Sequence, residues 1–450
     1  MTGTHTIQGK FVHGSTMRHV INMTATGSIG LIAVFLVDVL NLLYISQLGK
    51  PELAAAIGYA STLLFFHTSI AIGLSIATTA TVSRAIGSGD INLSKQLAAT
   101  SLILISGISL VLTLVTYPLL DGLLSLLGAQ AETASLAKRF CQFVLPSIPL
   151  ISLGMGLSSI LRALGDGKRA MFVTLGAAIA TAILDPLFIF VFQWGLDGAA
   201  YANVCARAVL CGIGTYSVLR IHHFYLAPCK QVFQRGMQAF GTIGIPAILT
   251  NIATPVGNAA VTSFIAKYGD QAVAGWAVVS RLIPMAFAGL FALSGAIGPI
   301  LGQNLGAKRF DRLRSTMRDS LKLTLFYVLI VWFLLAISSH LIARAFGAQG
   351  IAADVIVFFC IFVAGSFLFN GSLFVANAAF NNLGYPLYST MLNWGRSTIG
   401  VIPFVWLGGQ WFGARGVIAG YGLGVIFFGV AGVWLCFRVL EKLEQKHCEA

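Results

Sequence analysis

Twelve long apolar runs divide this chain and leave little choice of fold. They fall at approximately 19–46, 54–82, 97–120, 134–161, 170–193 and 198–220, then at approximately 238–266, 273–302, 320–343, 352–380, 388–409 and 415–437. Each reaches the roughly 20 residues that a helix needs to cross a bilayer. In lipid no backbone polar group can be left unpaired, so the runs are expected to be helices. Only 10% of the residues are charged, against about 25% in soluble domains. That balance excludes a water-soluble fold, and the expected class is an all-α membrane protein with twelve transmembrane helices. Met1 to Val20 lacks a short apolar core followed by a small-residue cleavage site, so a removed signal peptide is not expected there.

The formal net charge of +13 does not point to nucleic acid, because the basic residues sit between the apolar runs and act as topology signals. The side holding the N-terminus, the even-numbered loops and the C-terminus carries roughly 19 Lys and Arg against roughly 6 on the other. Both termini are therefore expected in the cytoplasm, with the chain in the inner (plasma) membrane. The basic run Lys308 to Lys322 reads as a cytoplasmic loop meeting lipid headgroups. The seven cysteines are scattered with no CxxC pair and read as packing residues.

The two halves repeat. Leu127-Gly128-Ala129-Gln130 returns as Phe346-Gly347-Ala348-Gln349, Leu164-Gly165 as Leu383-Gly384, and Gly87 as Gly306, each about 219 positions on. Gly49 with Leu53-Ala54 returns as Gly269 with Val273-Ala274, and Gly195-x-x-Gly198 as Gly413-x-x-Gly416. An even number of spans per half makes the repeat parallel, with a pseudo-two-fold axis along the membrane normal. Two pseudo-symmetric six-helix bundles are expected, residues 1–225 and 226–450, with a cleft between them for a substrate.

A carboxylate at bilayer depth costs about 2.5–3.5 kcal/mol even on generous scales, so it is a functional candidate by default. Two such acids stand out: Asp38 in the first span and Asp185, before Pro186, in the fifth. Asn41 lies at i+3 from Asp38 and Thr181 at i−4 from Asp185, while Asn203 could complete a polar pocket. Desolvated, paired carboxyls can take up a proton near neutral pH, or hold a sodium ion when charged. The bland alternative is a structural, hydrogen-bonded aspartate, salt-bridged to Arg207. In the second half Asn258 stands where the repeat places Asp38, and Phe404 where it places Asp185. Asn370 and Asn377, with Asn381 and Asn382, give the tenth span a polar face that could line the cleft or hydrogen-bond a neighbouring helix. His67 reads as a satisfied packing histidine. There is no Walker A loop, metal-ligand cluster or nucleophile elbow. An enzyme is not expected, no cofactor is called for, and active transport would draw on an ion gradient.

Arg84-Ala-Ile-Gly-Ser-Gly-Asp90 after the second span and Gly302-Gln-Asn-Leu-Gly-Ala-Lys-Arg309 after the eighth resemble the paired loop motifs of the multidrug and toxic compound extrusion (MATE) family. Leu161-Arg-Ala-Leu-Gly-Asp-Gly-Lys168 resembles its fourth-to-fifth connection, and Ile183-Leu-Asp185-Pro186 with Gly195 to Asn203 its fifth and sixth spans. The resemblance covers nearly the whole chain and implies a V-shaped pair of lobes. Acids in the first and fifth spans are similar to the DinF-like branch, which implies that Asp38 and Asp185 accept the coupling proton or sodium ion, with Thr181 and Asn203 as partners. The NorM-like branch has Glu where Thr254 stands here. The first span has no proline, and Gly27 and Gly30 are its available flexible points.

The expected function is export of amphipathic organic cations in exchange for H+ or Na+, by a monomer surrounded by membrane lipid and binding no nucleic acid. The rival is a lipid-linked oligosaccharide flippase of the same superfamily, which the acidic cleft candidates disfavour. A major facilitator transporter lacks support because its basic loop motif is not matched by Arg84 to Asp90.

Overall fold

The computed structural model describes residues 9–48, 51–129 and 131–449. Met1 to Gln8 lie outside the described residues, as do Gly49, Lys50 and Gln130 of the repeat and charge patterns. Among the described residues the chain is helical throughout, with no strand. Ten helical stretches are long and apolar enough to span a membrane, and the pair Asp270–Ala286 and Ala288–Gly306, bent by 44°, makes an eleventh. The last stretch, Pro386–Cys448, has 63 residues. A straight helix of that length would measure about 95 Å, roughly three times the hydrocarbon core. It breaks at Gly413 (φ 61°, ψ −143°) into two passes. All twelve expected runs thus fall in helices, and the protein is an all-α, multi-pass membrane protein.

Compactness divides the chain differently from the sequence repeat. One unit is Ile29–Ile248 together with Lys10; the other is Phe11–Ser28 and the residues from Leu249 onward. In the first unit lie most of α1 (Thr16–Ser46), then α2 (Pro51–Gly87), α3 (Ile91–Thr116), the short α4 (Leu120–Leu126), α5 (Ala131–Val144), α6 (Ile148–Ala163), α7 (Gly167–Pro186), α8 (Gly195–Thr215) and the start of α9 (Lys230–Ile265). α6 is central, packing on α2, α3, α7 and α8. Val82, Leu157, Leu161, Val173 and Phe224 close one end of this core, and Leu63, Phe140, Leu145 and Ile189 the other.

The family-like loops do turn chemistry. Gly89 (φ 82°) ends α2 in the left-handed region, where glycine has no Cβ penalty. Asp90 then caps α3, its carboxylate accepting from Leu93 N at 2.8 Å. Gly165 (φ 79°) and Asp166 repeat the device before α7, with Asp166 accepting from Arg169 N at 3.1 Å. His222 Nε2 stands 2.9 Å from the same carboxylate. Burial works against the charge of Asp166, but the hydrogen bonds from Arg169 and His222 outweigh it and hold the carboxyl below its usual range. A depressed folded pKa stabilises the fold above the unfolded value near 4 and loses that contribution as pH falls through the folded one. Asp166→Ala is expected to lower stability by about 1 kcal/mol at neutral pH. The gap from the native chain should shrink below about pH 4, read as melting temperature in detergent across a pH series.

The second unit holds the first turns of α1, the rest of α9, then α10 (Asp270–Ala286), α11 (Ala288–Gly306), α12 (Phe310–Ala345), α13 (Gly350–Phe358), α14 (Phe367–Leu383), α15 (Pro386–Gly395) and α16 (Ile402–Cys448). The bend between α10 and α11 sits at Phe287, within one turn of Pro284. Tyr327 of α12 stitches it: its hydroxyl donates to Ala286 O at 2.9 Å and accepts from Gly289 N at 3.1 Å. A Cβ on Gly289 would lie 2.5 Å from that ring. The basic run Lys308 to Lys322 is largely the first turns of α12 rather than a loop. Arg312 does structural work there, donating to Phe11 O at 2.7 Å, to Gly14 O at 2.8 Å and to Asn304 Oδ1 at 3.0 Å. Phe11 N in turn donates to Gln303 Oε1 at 2.8 Å. The Gly302-Gln-Asn motif therefore anchors the segment preceding α1.

The repeat is visible in the backbone. The positive-φ pairs Gly89 and Lys308, Gly128 and Gly347, Gly165 and Gly384, and Gly195 and Gly413 are each about 218 or 219 positions apart, by subtraction. The fourth span breaks in a 3-10 turn at Leu145–Ser147, and the tenth breaks in another at Ala364–Ser366, in the same register. Pro146 and Pro149 cannot supply the N–H groups that a continuous helix needs at the first break. Arg207 donates there to Val144 O at 3.1 Å. Near the second break Trp332 Nε1 donates to Ile361 O at 2.8 Å.

Candidate functional site in the first unit

Asp185 sits on the penultimate residue of α7. Pro186, without an N–H, follows it, and the helix then widens to a π-helical turn over Leu187–Val191. Such widened turns are frequent at functional sites. The Asp185 side chain is fully buried. Its Oδ2 accepts from Asn41 Nδ2 of α1 at 2.9 Å, and its Oδ1 has no hydrogen-bond partner among the described residues. Asn41 thus serves the acid of the fifth span rather than its own helical neighbour Asp38. The Asp38 side chain is exposed and stands within electrostatic reach of Asp185. The two acids and Asn41, drawn from spans one and five, are brought together.

Other expected partners behave differently. The Thr181 hydroxyl donates to Ala177 O of its own helix at 3.0 Å, which satisfies it locally. Asn203 is half-buried on α8 and hydrogen-bonds to neither acid. Arg207 does not pair with Asp185. Its guanidinium reaches Val144 O and, at 2.9 Å, Ser147 Oγ. His67 is buried and held at both nitrogens, 3.2 Å from Leu63 O and 3.1 Å from Thr116 Oγ1. Gly27 and Gly30 of α1 are points of close approach in an unbroken helix. A Cβ on Gly30 would lie 2.3 Å from Thr174 Oγ1, and one on Gly27 3.3 Å from Ala292 Cβ.

In the second unit Asn258 is exposed, while Asn370, Asn377 and Asn381 are buried with their carbonyl oxygens unpaired among the described residues. Thr254 accepts from Arg396 at 3.0 Å. The buried Arg396 was missed as a functional candidate, although a guanidinium inside an apolar run is itself a signal.

Comparison with known proteins agrees with this architecture. The MatE family model matches residues 28–187 and 246–407, once in each half. An FAD transporter of Shewanella oneidensis is 26% identical, over 95% of this chain and 96% of its own. The multidrug export protein MepA of Staphylococcus haemolyticus is 24% identical, over 91% and 90%. The Vibrio cholerae MATE transporter VcmN, in its bent form, superposes with a TM-score of 0.89 at 26% identity, covering 96% of this chain and 98% of that one. With twelve membrane passes, a structural repeat and a family match spanning both halves, the chain belongs to the MATE family of membrane transporters.

Proposed function

We propose that this transporter exports amphipathic organic cations in exchange for protons, with Asp185 as the principal coupling acid and Asp38 as its partner. The observation that carries the reading is the Asp185 carboxyl: fully buried, fixed through one oxygen by Asn41, and unpartnered at the other among the described residues. A charge there is desolvated and incompletely hydrogen-bonded. A proton on Oδ1 removes the charge without disturbing the Asn41 bond. Uptake from outside would neutralise the site and release a bound cation. Loss of the proton to the cytoplasm would restore the charge for the next one. A sodium ion would need oxygen ligands that Thr181 and Asn203 do not present in this arrangement, so both would have to turn toward the acids. This reading places the chain in the DinF-like branch, as a monomer with lobes 1–225 and 226–450 and both termini cytoplasmic.

A second reading is export of an organic anion such as a dinucleotide. The relative named as an FAD transporter favours it, as do Arg207 and Arg396, buried guanidiniums whose hydrogen-bond partners are neutral. Proteoliposomes separate the two. A pH gradient is expected to drive ethidium, and a sodium gradient at matched membrane potential is not. Flux of FAD without flux of ethidium would overturn the cation reading. Ethidium driven by sodium alone would overturn the proton assignment.

A further inference from the structure

A second feature lies in the other unit. Between α1, α11 and α12 runs an open groove of about 240 Å³, lined by Thr24, Ala25 and Ser28, by Leu290 and Leu293, and by Tyr327. It exceeds the ~150 Å³ of engineered apolar cavities that take up benzene. The walls are almost wholly apolar. The Tyr327 hydroxyl is committed to the bend at Phe287, and Ser28 Oγ donates to Thr24 O at 2.8 Å. That leaves Thr24, only 8% exposed, whose hydroxyl has no partner among the described residues. A single polar atom does not hold a water, which needs two to four. It fits a ligand that is apolar along its length and carries one acceptor.

Position and charge say which ligand. Thr24 is about 12 Å along α1 from Thr16 at the helix start, so the groove lies at acyl-chain depth. Ile21 and Ala25 on α1, with Leu325 and Phe326 on α12, are exposed beside it. Toward the membrane surface stand Arg18, on the groove face one turn before Ile21, and Arg318 and Lys322 of α12. All three are exposed, and none makes a side-chain hydrogen bond or ion pair among the described residues. Asp319, next to Arg318 on α12, accepts from the Thr16 hydroxyl at 2.5 Å. Side chains on a helix lean toward its N-terminus, so Arg18 reaches toward the surface.

We propose that this groove binds one anionic membrane phospholipid. An acyl chain lies between α1 and α12, the Thr24 hydroxyl donates to a glycerol ester carbonyl, and Arg18 with Arg318 and Lys322 meets the headgroup phosphate. The test is native mass spectrometry of the detergent-purified full chain after incubation with phosphatidylglycerol or phosphatidylcholine of identical chains. One phosphatidylglycerol per chain is expected to be retained in preference to phosphatidylcholine. Arg18→Gln should lower its retention about fivefold and leave phosphatidylcholine unchanged. Ala25→Phe, which fills the groove, should lower retention of both lipids. Thr24→Val keeps the shape and the fold and should lower both as well, so a folding failure of Ala25→Phe leaves the test intact. Native-level retention by Thr24→Val, or equal retention of the two lipids by the native chain, would overturn the proposal.

Discussion

Proteoliposomes carrying Asp185→Asn are expected to leave ethidium efflux at passive leak under a pH gradient that should drive the native chain. The substitution keeps the shape of the side chain and an oxygen to accept from Asn41, so the junction of spans one and five survives. What disappears is the ability to exist in two charge states. One proton moved down one pH unit supplies about 1.4 kcal/mol, a tenfold concentration ratio for a monovalent cation exchanged one for one, and the Asp185→Asn chain forfeits all of it. The variant should melt no lower than the native chain, because a desolvated, half-satisfied carboxyl has been replaced by a neutral amide. Loss of coupling with an unchanged melting temperature is the signature of a proton carrier. Loss of both would mark a structural aspartate, and native efflux would remove Asp185 from the mechanism. Asp38→Asn should reduce the rate without abolishing it, since the Asp38 side chain is exposed where that of Asp185 is buried.

The spans and their repeat were legible because lipid enforces both: apolar length follows from bilayer thickness, and glycines in left-handed turns keep their register between halves. The pairing of Asp38 with Asp185 was legible for a related reason, since a charge in an apolar run needs a purpose. Which side chain serves which acid was not. Asn41 and Thr181 each lie one turn from an acid on their own helix. Asn41 reaches across to Asp185, whereas the Thr181 hydroxyl turns back to Ala177. Threonine in a helix has a carbonyl available at i−4 and takes it without help from a neighbour. Asparagine's longer amide can leave its helix. The sequence leaves the polar stripe of the tenth span undecided for the converse reason. Periodicity shows that Asn370 and Asn377 share a face, not whether that face meets solvent or protein. The bend at Phe287 lies within one turn of Pro284 in α10, and a tyrosine from another helix holds it.

The passes on either side of Gly413 make the second strong prediction: Gly424→Val or Gly416→Val should prevent accumulation of folded protein. In lipid, helices gain little hydrophobic energy from association, so close packing and small residues carry it. Here the two passes meet backbone to backbone. A Cβ on Gly416 would lie 1.8 Å from Gly408 O, one on Gly420 2.3 Å from Phe404 O, and one on Gly424 1.9 Å from Gly400 O. The three sites are four residues apart on one face of α16, opposite partners also four apart, around the turn at Gly413. No rotamer change relieves a clash with a carbonyl of the main chain, so the helices must separate and the neighbouring contacts open with them. Overpacking in cores typically costs about 1–3 kcal/mol, and a β-branched residue at this zipper should reach at least the upper end. Gly107→Ala is the matched control. It sits inside α3 with nothing within 4 Å of the added Cβ, and helix propensity alone should leave it neutral or up to about 1 kcal/mol more stable. Fluorescence-detected size exclusion and melting temperature read both variants. A monodisperse Gly424→Val protein melting with the native chain would mean that the two passes do not pack as closely as this arrangement requires. The Gly195-x-x-Gly198 pair that repeats it in the first unit, where a Cβ on Gly198 would lie 2.7 Å from Phe188 O, would then lose its rationale as well.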